Sequence, residues 1–126
     1  MPRIVVIDYG MGNLGSVCHA LAAAGATPVV ADHPEALIDA DAMILPGVGA
    51  FAAGMDNLRA RGFIPAMCRA VLDQGKPFLG ICLGMQLLAD SGTEHGTCAG
   101  LGFIHGRVER LALPESGDFR LPHIGW

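Results

Sequence analysis

The sequence predicts a single α/β domain built on a doubly wound, mostly parallel sheet. Short apolar runs typical of buried strands alternate with segments whose apolar residues recur at helical spacing, as in folds of this class. Three glycine-rich segments also follow the ends of presumed strands, at residues 10–13, 47–49 and 80–84. Because parallel strands end at one edge of a sheet, we expect these segments to converge on one site.

Three strands and two helices are predicted in the first half of the chain. Continuous apolar runs indicate buried parallel strands at residues 4–7, 28–31 and 42–45. Apolar residues at helical spacing from Leu14 to Leu21 indicate a helix that ends near Gly25, since glycine is a common C-terminal cap. Between the second and third strands, Asp32 and Pro34 fit the first turn of a short helix.

The second half is predicted to contain an amphipathic helix, a buried strand, a second helix and a final strand. The amphipathic helix has its apolar face over residues 64–72 and ends near Gly75. The buried strand begins at residues 76–79, and the helix after it opens at residues 85–89. Alternation of polar and apolar residues over 106–111 indicates a strand with one face in solvent.

Composition limits the class of function. Of the 126 residues, 52% are hydrophobic and 16% are charged, which is enough apolar content for one sizeable core. The net charge is −4 and the eight Lys and Arg residues are scattered, so we expect no nucleic-acid partner. No apolar run is long enough to span a bilayer, so no membrane association is expected. Four cysteines without metal-ligand spacing, and a start without a secretory signal, predict a cytoplasmic protein with reduced thiols and without metal or other cofactor.

The most informative feature is a cysteine, Cys82, between Gly80 and Gly84 at the end of an apolar run. A residue at such a strand-to-helix corner has a strained backbone that exposes its side chain. A Cβ at either glycine would crowd the neighbouring strand and helix. The helix N-terminus that follows favours a thiolate. We therefore interpret Cys82 as a nucleophile, with a small buried cysteine in a parallel strand as the alternative.

The loop at residues 46–49 offers this nucleophile a second component. Acyl transfer generates an oxyanion, which is stabilised when two backbone N–H groups point at one position. The amide of Leu83, directly after the cysteine, is one candidate donor, and the glycine loop can supply the other. The alternative is a tight loop without a catalytic role.

The residues establish neither a dinucleotide site nor a catalytic base. Gly10, Gly12 and Gly15 fit the dinucleotide-binding fingerprint, but a close-packed turn is the preferred interpretation because no acidic residue follows at the expected place. A cysteine nucleophile usually needs a histidine that is oriented by a carboxylate. We interpret the five histidines as structural or surface residues: His19, His33, His95, His105 and His123. The sequence therefore predicts a nucleophile without its base.

Four segments carry a resemblance to a known family. They are IDYGMGN at 7–13, PGVG at 46–49, GICLG at 80–84 and LPHIGW at 121–126. Together and in this order they resemble the class I glutamine amidotransferases, and among these the glutaminase subunits of imidazole glycerol phosphate synthases in histidine biosynthesis. The match extends over residues 1–126, which are expected to form a single amidotransferase domain.

This resemblance implies a reaction and the residues that carry it. The cysteine would attack the side-chain amide of glutamine, giving a γ-glutamyl thioester and ammonia, and water would then release glutamate. The amides of Val48 or Gly49 and of Leu83 would stabilise the oxyanion. Gln86 and Glu94 would hold the substrate glutamine. Without the resemblance, Gln86 is an exposed helix residue and Glu94 is a loop charge.

The resemblance also implies a partner. A separate cyclase with a (β/α)8 barrel would form a heterodimer with this chain and consume the ammonia, with a phosphorylated ribonucleotide intermediate, to make imidazole glycerol phosphate. A sealed conduit between the subunits would keep the ammonia from water, where it would be protonated. Asn13 and Trp126 match family positions near this interface. For Trp126 the alternative is a cover over the core.

The chain departs from the family at its C-terminal end. Family members continue past the position of Trp126, and the continuation carries the H-x-E pair that completes the catalytic triad. We therefore expect an incomplete domain, either as a fragment of a longer product or as a shortened homologue. We expect this chain alone to have little or no glutaminase turnover, and to expose apolar surface that favours self-association.

Other functions stay open on the sequence alone. One is a pseudo-glutaminase that only binds or regulates a partner, and another is a cysteine-dependent hydrolase or redox sensor that uses the same elbow. A third is a glutaminase that serves GMP, anthranilate or pyridoxal synthesis, which should differ in the first and last of the four segments. Selective labelling of Cys82 by a glutamine-analogue alkylator would separate these alternatives, because it requires a glutamine pocket.

Overall fold

A four-stranded parallel sheet forms the centre of the computed structural model, which describes residues 1–115, 117–122 and 124. The strands are β1 (Ile4–Ile7), β2 (Pro28–Ala31), β3 (Ala42–Leu45) and β4 (Phe78–Gly80), in the spatial order β2-β1-β3-β4. The predicted α/β class with a parallel sheet is confirmed. The strand order reverses between β1 and β3, and in open α/β sheets ligand sites form at such switch points.

The register of the sheet brings three strand ends to one edge. Val6 of β1 pairs with Ile44 of β3, and Leu45 of β3 pairs with Gly80 of β4. The turn after β1, the loop after β3 and the corner after β4 therefore leave the sheet side by side. These are the three glycine-rich segments that were expected to converge.

The hydrophobic core lies between one face of this sheet and two helices, α2 (Phe51–Ala60) and α3 (Phe63–Cys68). Alternate side chains of the two central strands face it, because successive residues of a strand point to opposite faces. The fully buried core residues contributed by these strands and helices are Val5, Ile7, Met43, Leu45, Met55, Leu58, Phe63 and Met67. Helix α1 (Leu14–Ala23) has its apolar residues only half-buried.

Several predicted elements differ from the observed ones in the middle of the chain. Helix α2 was not predicted. The amphipathic helix over 64–72 is instead α3 followed by a π-helical turn at Arg69–Asp73. The short helix after the second strand is a single 3-10 turn, Pro34–Leu37.

Strand β4 was predicted to be buried, and this is wrong. It is the last strand of the parallel sheet in the described residues, and Leu79 in its centre is 56% exposed. An edge strand has a neighbour on one side only, so its outer side chains are not covered.

A second, smaller sheet follows helix α4 (Leu83–Gln86). Its strands are β5 (Ala89–Gly92), β6 (Cys98–Ala99) and β7 (Ile104–Val108), in the order β6-β5-β7. The helix predicted over residues 85–89 thus ends sooner than expected, and the final strand lies two residues before its predicted start. Gly92 allows this sheet to contact the start of α2, since a Cβ there would lie 2.7 Å from the Phe51 ring.

None of the helices in the described part of the chain combines the length and the hydrophobicity that crossing a bilayer requires. Over the same residues, no group of three or more His, Cys, Asp or Glu side chains is arranged to hold a metal ion.

Candidate active site

Cys82 occupies a sharp corner between β4 and α4. Its backbone has φ 55° and ψ −119°, the only positive φ of a non-glycine residue in the described part of the chain. A residue with a Cβ rarely adopts this conformation, which costs on the order of 1–3 kcal/mol. The bend places the side chain in solvent. The exposed thiol on a strained corner agrees with the predicted nucleophile and excludes the buried-cysteine alternative.

The two flanking glycines permit this corner. A Cβ on Gly80 would lie 2.6 Å from the Cα of Met85, and a Cβ on Gly84 would overlap the carbonyl oxygen of Leu45. Both obstacles are backbone atoms, which cannot turn aside as a side chain can. The spacing of the glycines therefore follows from the close approach of α4 to the ends of β3 and β4.

The loop at residues 46–49 is held against the corner by hydrogen bonds. The hydroxyl of Tyr9 donates to the carbonyl oxygen of Pro46 at 2.6 Å. The amide of Val48 donates to the carbonyl oxygen of Met11. The amide of Leu83 donates to the carbonyl oxygen of Gly47 at 3.2 Å.

Two of these hydrogen bonds occupy amides that were predicted to stabilise an oxyanion. The amides of Val48 and Leu83 are both occupied by carbonyl oxygens of the protein itself, so they do not point at a common substrate position in this arrangement. Gly49 has φ +114°, a conformation that favours glycine. The structure thus brings the three predicted donors into one region without assembling them into an oxyanion hole.

A cavity of about 530 Å³ is lined by residues of the loop, of α4 and of the segments that follow β5 and β7, and Cys82 itself is not one of its lining residues. Gln86 and Glu94, the two predicted substrate-binding residues, both line it, as does Gly49. The amide of Gln86 donates to the carbonyl oxygen of Cys82 at 3.1 Å, so the cavity lies one helical turn from the cysteine. The predicted site residues on α4, on the loop and after β5 are therefore brought together.

Glu94 is fixed at the start of α2. One of its carboxylate oxygens accepts the amide of Phe51 at 3.1 Å, which places a negative charge at the helix N-terminus. Its other oxygen lies 3.7 Å from Nε2 of His95, which also lines the cavity. About half of the Glu94 side chain is exposed.

Two further residues at the site were not identified from the sequence. Arg110, two residues after β7, lines the cavity and adds a positive charge. Tyr9 is fully buried beneath the loop. Burial raises the pKa of the Tyr9 hydroxyl, and the nearby Cys82 thiolate raises that pKa further. A tyrosine two residues after a buried strand was the available signal, because a buried hydroxyl needs a hydrogen-bond partner.

Three of the described histidines, His33, His95 and His105, lie within 3.7 Å of a carboxylate oxygen. Nδ1 of His33 lies 3.1 Å from Asp32, and Nδ1 of His105 lies 3.5 Å from Asp90. His33 also precedes Glu35 at an H-x-E spacing, but its side chain is 59% exposed. Among the described residues, no hydrogen bond joins a histidine to Cys82.

The two predicted interface residues have different outcomes. Asn13 is exposed and caps α1, because its side-chain oxygen accepts the amide of Ser16 at 3.2 Å. This capping bond accounts for an asparagine at the position without an interface. Trp126 and the candidate His123 lie outside the described residues.

The fold and the cysteine corner define a class of protein. The sequence profile of the family described as glutamine amidotransferase class-I matches residues 5–115, and the chain belongs to this family. Within it, the chain is 54% identical over 126 residues to "Imidazole glycerol phosphate synthase subunit HisH" of Acaryochloris marina, covering 100% of this chain and 57% of that protein. The protein of the same name from Zymomonas mobilis is 50% identical over 127 residues, covering 98% of this chain and 59% of that protein.

A solved structure shows the same fold. The structure titled "Crystal structure of glutamine amidotransferase" superposes with a TM-score of 0.70 at 24% sequence identity, covering 84% of this chain and 56% of that one. The family predicted from the four sequence segments is thus confirmed. The chain spans less than two thirds of the length of the relatives it matches.

Proposed function

We propose that the protein to which this chain belongs hydrolyses glutamine to glutamate and ammonia through a thioester on Cys82. The observation that carries the proposal is the exposed cysteine, strained at φ 55° between Gly80 and Gly84, one helical turn from a residue that lines a cavity with charges of both signs. The relatives are named as subunits of imidazole glycerol phosphate synthase, which agrees with this chemistry.

The reaction proceeds in two acyl transfers. The Cys82 thiolate attacks the side-chain carbonyl carbon of glutamine, and the C–N bond breaks as the nitrogen takes a proton and leaves as ammonia. Water then attacks the thioester carbon, the C–S bond breaks, and glutamate is released with the thiolate restored. Both steps need a base to move protons. By the resemblance, the base is the histidine of an H-x-E pair that follows this part of the sequence in the family.

The cavity suits the zwitterionic end of glutamine. The Glu94 carboxylate carries a negative charge for the α-ammonium group, and Arg110 carries a positive charge for the α-carboxylate. Gln86 is placed to hydrogen-bond the substrate between these ends and the cysteine. Such opposed charges select an amino acid over a simple amide.

The oxyanion hole forms by rearrangement of the loop. The amides of Val48 and Leu83 are engaged with Met11 and Gly47 before substrate binds, so at least one of them exchanges its acceptor for the developing oxyanion. Gly49 provides the backbone freedom for this movement. The proposal therefore includes a resting loop conformation of low activity.

The ammonia is consumed by a partner. We assign this role to a cyclase subunit with a (β/α)8 barrel that forms imidazole glycerol phosphate in histidine biosynthesis, acting in the cytoplasm. The names of the relatives support a synthase assembly, and we assign Asn13, which is exposed, and Trp126 to the interface. Transfer inside an assembly keeps the ammonia unprotonated and nucleophilic.

A binding-only protein is the second candidate. The engagement of the Val48 and Leu83 amides favours it, because a loop that never released them would leave Gly49 as the remaining predicted donor to an oxyanion. Such a protein would bind glutamine without turning it over.

Covalent labelling tests the proposal. The diazoketone analogue of glutamine should alkylate Cys82 selectively, as read by peptide mass spectrometry, and excess glutamine should protect it. Cys82→Ala should abolish labelling, whereas Cys18→Ala, which removes another free thiol, should not. Labelling without glutamine protection, or equal labelling of all four cysteines, would overturn the proposed glutamine site.

A further inference from the structure

We propose that Tyr9 is a positioning residue that anchors the loop 46–49 beside Cys82 through its buried hydroxyl. The anchor itself follows from geometry. Its consequence for reaction with glutamine rests on the proposed function. No step assigned to the reaction so far uses this side chain, although it is the buried ionisable group closest to the chemistry.

Tyr9 is fixed at both of its polar ends. Its side chain is 0% exposed, and its hydroxyl donates to the Pro46 carbonyl oxygen at 2.6 Å. Its own carbonyl oxygen accepts the Asn57 side-chain amide from α2 at 3.0 Å. A buried, fully paired tyrosine of this kind is an immobile support rather than a mobile surface group.

Two successive hydrogen bonds connect Tyr9 to the cysteine corner. Tyr9 holds the carbonyl of Pro46, and the next carbonyl, that of Gly47, is held by the amide of Leu83. Two consecutive peptides of the loop are therefore tied, one to the end of β1 and one to the residue after the nucleophile. A displacement of the Tyr9 hydroxyl would therefore move the Pro46 carbonyl, and through Gly47 it would move the acceptor of the Leu83 amide.

Packing around Gly47 supports the same conclusion. A Cβ at this position would overlap the Tyr9 hydroxyl and would lie 2.9 Å from the Cβ of Leu83. The Pro46–Gly47 segment is thus enclosed, whereas Val48 is 57% exposed. The anchor confines rearrangement of the loop to Val48 and Gly49, which keeps the rest of the loop in register with the corner.

The Tyr9 hydroxyl is protonated and can therefore donate the hydrogen bond that anchors the loop. Burial and the Cys82 thiolate both raise the pKa of Tyr9, so ionisation of the thiol strengthens its retention of the proton. The hydroxyl therefore stays protonated and remains the donor to the Pro46 carbonyl oxygen at neutral pH.

Amide hydrogen exchange in the full chain tests the anchor without requiring activity. Tyr9→Phe should raise the exchange rates of the Val48 and Leu83 amides about fivefold, the value expected for one lost hydrogen bond. The Met43 amide, which donates to Pro77 within the sheet, should not change. Phe63→Leu, a buried substitution on α3, is the control, and it should not raise exchange at Val48 and Leu83 relative to Met43.

Two results would overturn the anchor. One is unchanged exchange at Val48 and Leu83, and the other is an equal rise at Met43, which would mean general destabilisation. If Tyr9→Phe does not fold, Asn57→Ala removes the second support of Tyr9 and should give the same selective pattern. No selective rise in that variant would likewise refute the anchor.

Labelling kinetics connect the anchor to the chemistry. Tyr9→Phe should lower the maximal rate of Cys82 alkylation by the diazoketone about fivefold while changing the rate with iodoacetamide less than twofold, since the thiol stays exposed. If the wild type is not labelled by the diazoketone, the proposed function fails, and the exchange experiment still decides the anchor. If the wild type is labelled and the variant labels equally fast, the effect of the anchor on the chemistry is refuted.

Discussion

Replacement of Cys82 by glycine should stabilise the protein while removing its nucleophile. The backbone at Cys82 has φ 55° and ψ −119°, which a Cβ disfavours and glycine adopts readily. The thiol is exposed, so its removal forfeits no buried surface. Cys82→Ala is the matched control, because alanine removes the same sulfur and retains the strained Cβ.

The magnitude follows from two opposing effects. Relief of the backbone strain contributes about 1–3 kcal/mol. The greater freedom of glycine in the unfolded chain costs about 0.5–1 kcal/mol. The central values of these two effects give the expectation that Cys82→Gly exceeds Cys82→Ala by roughly 1 kcal/mol in free energy of unfolding. For a chain of 126 residues, each kcal/mol corresponds to about 4 °C in Tm.

Urea denaturation followed by circular dichroism measures this difference, with the midpoint and the slope m fitted for each variant. An unchanged m with a higher midpoint for glycine is the expected result. Equal stability of the glycine and alanine variants would refute the view that the nucleophile position stores strain.

Three further substitutions test other parts of the site. Gly84→Ala should destabilise the protein by more than about 2 kcal/mol in urea unfolding because its Cβ overlaps a backbone carbonyl, whereas Gly15→Ala, which meets only one atom at 3.9 Å, should not. A smaller loss at Gly84 would show that α4 can move. Glu94→Gln should raise the diazoketone concentration for half-maximal labelling about tenfold, with Glu109→Gln as the control on the same cavity; equal effects would argue against a specific role. Asn13→Ala should lower the free energy of unfolding by about 1 kcal/mol through loss of the α1 cap, whereas Asn13→Asp should keep both the cap and the stability. Thermal unfolding measures both, and a neutral alanine variant would contradict the capping role.

The fold class was predictable because its central strands are visible in the sequence as apolar runs. Residues 4–7 and 42–45 are continuous apolar runs, as central parallel strands require. Helix α2 was missed although Phe51, Met55 and Leu58 recur at helical spacing, because small and polar residues separate them. Strand β5 has the sequence ADSG, which has little strand propensity. Its pairing with β7 and its contact with Phe51 form it instead.

The exposed cysteine corner was predictable from a local sequence pattern, whereas the hydrogen bonds around it were not. Glycines on either side of a cysteine are a local pattern that a sequence displays directly. The orientation of a backbone amide is set by distant carbonyls, as with Val48 and Met11, which are 37 residues apart. The same separation joins Tyr9 to Pro46. No local pattern distinguishes an amide free for an oxyanion from one that is already bonded.

The strand order explains why these distant residues meet at one position. Because β1 and β4 both pair with β3, the turn after β1 and the corner after β4 lie on either side of the loop after β3. Tyr9 reaches the loop from one side and Leu83 from the other. The conformation of the loop therefore depends on both Tyr9 and Leu83, and a change in either residue alters the peptide geometry beside Cys82. A cysteine corner that contacts the loop beside the switch point between β1 and β3 is for this reason sensitive to residues of the buried sheet as well as to exposed residues of the corner itself.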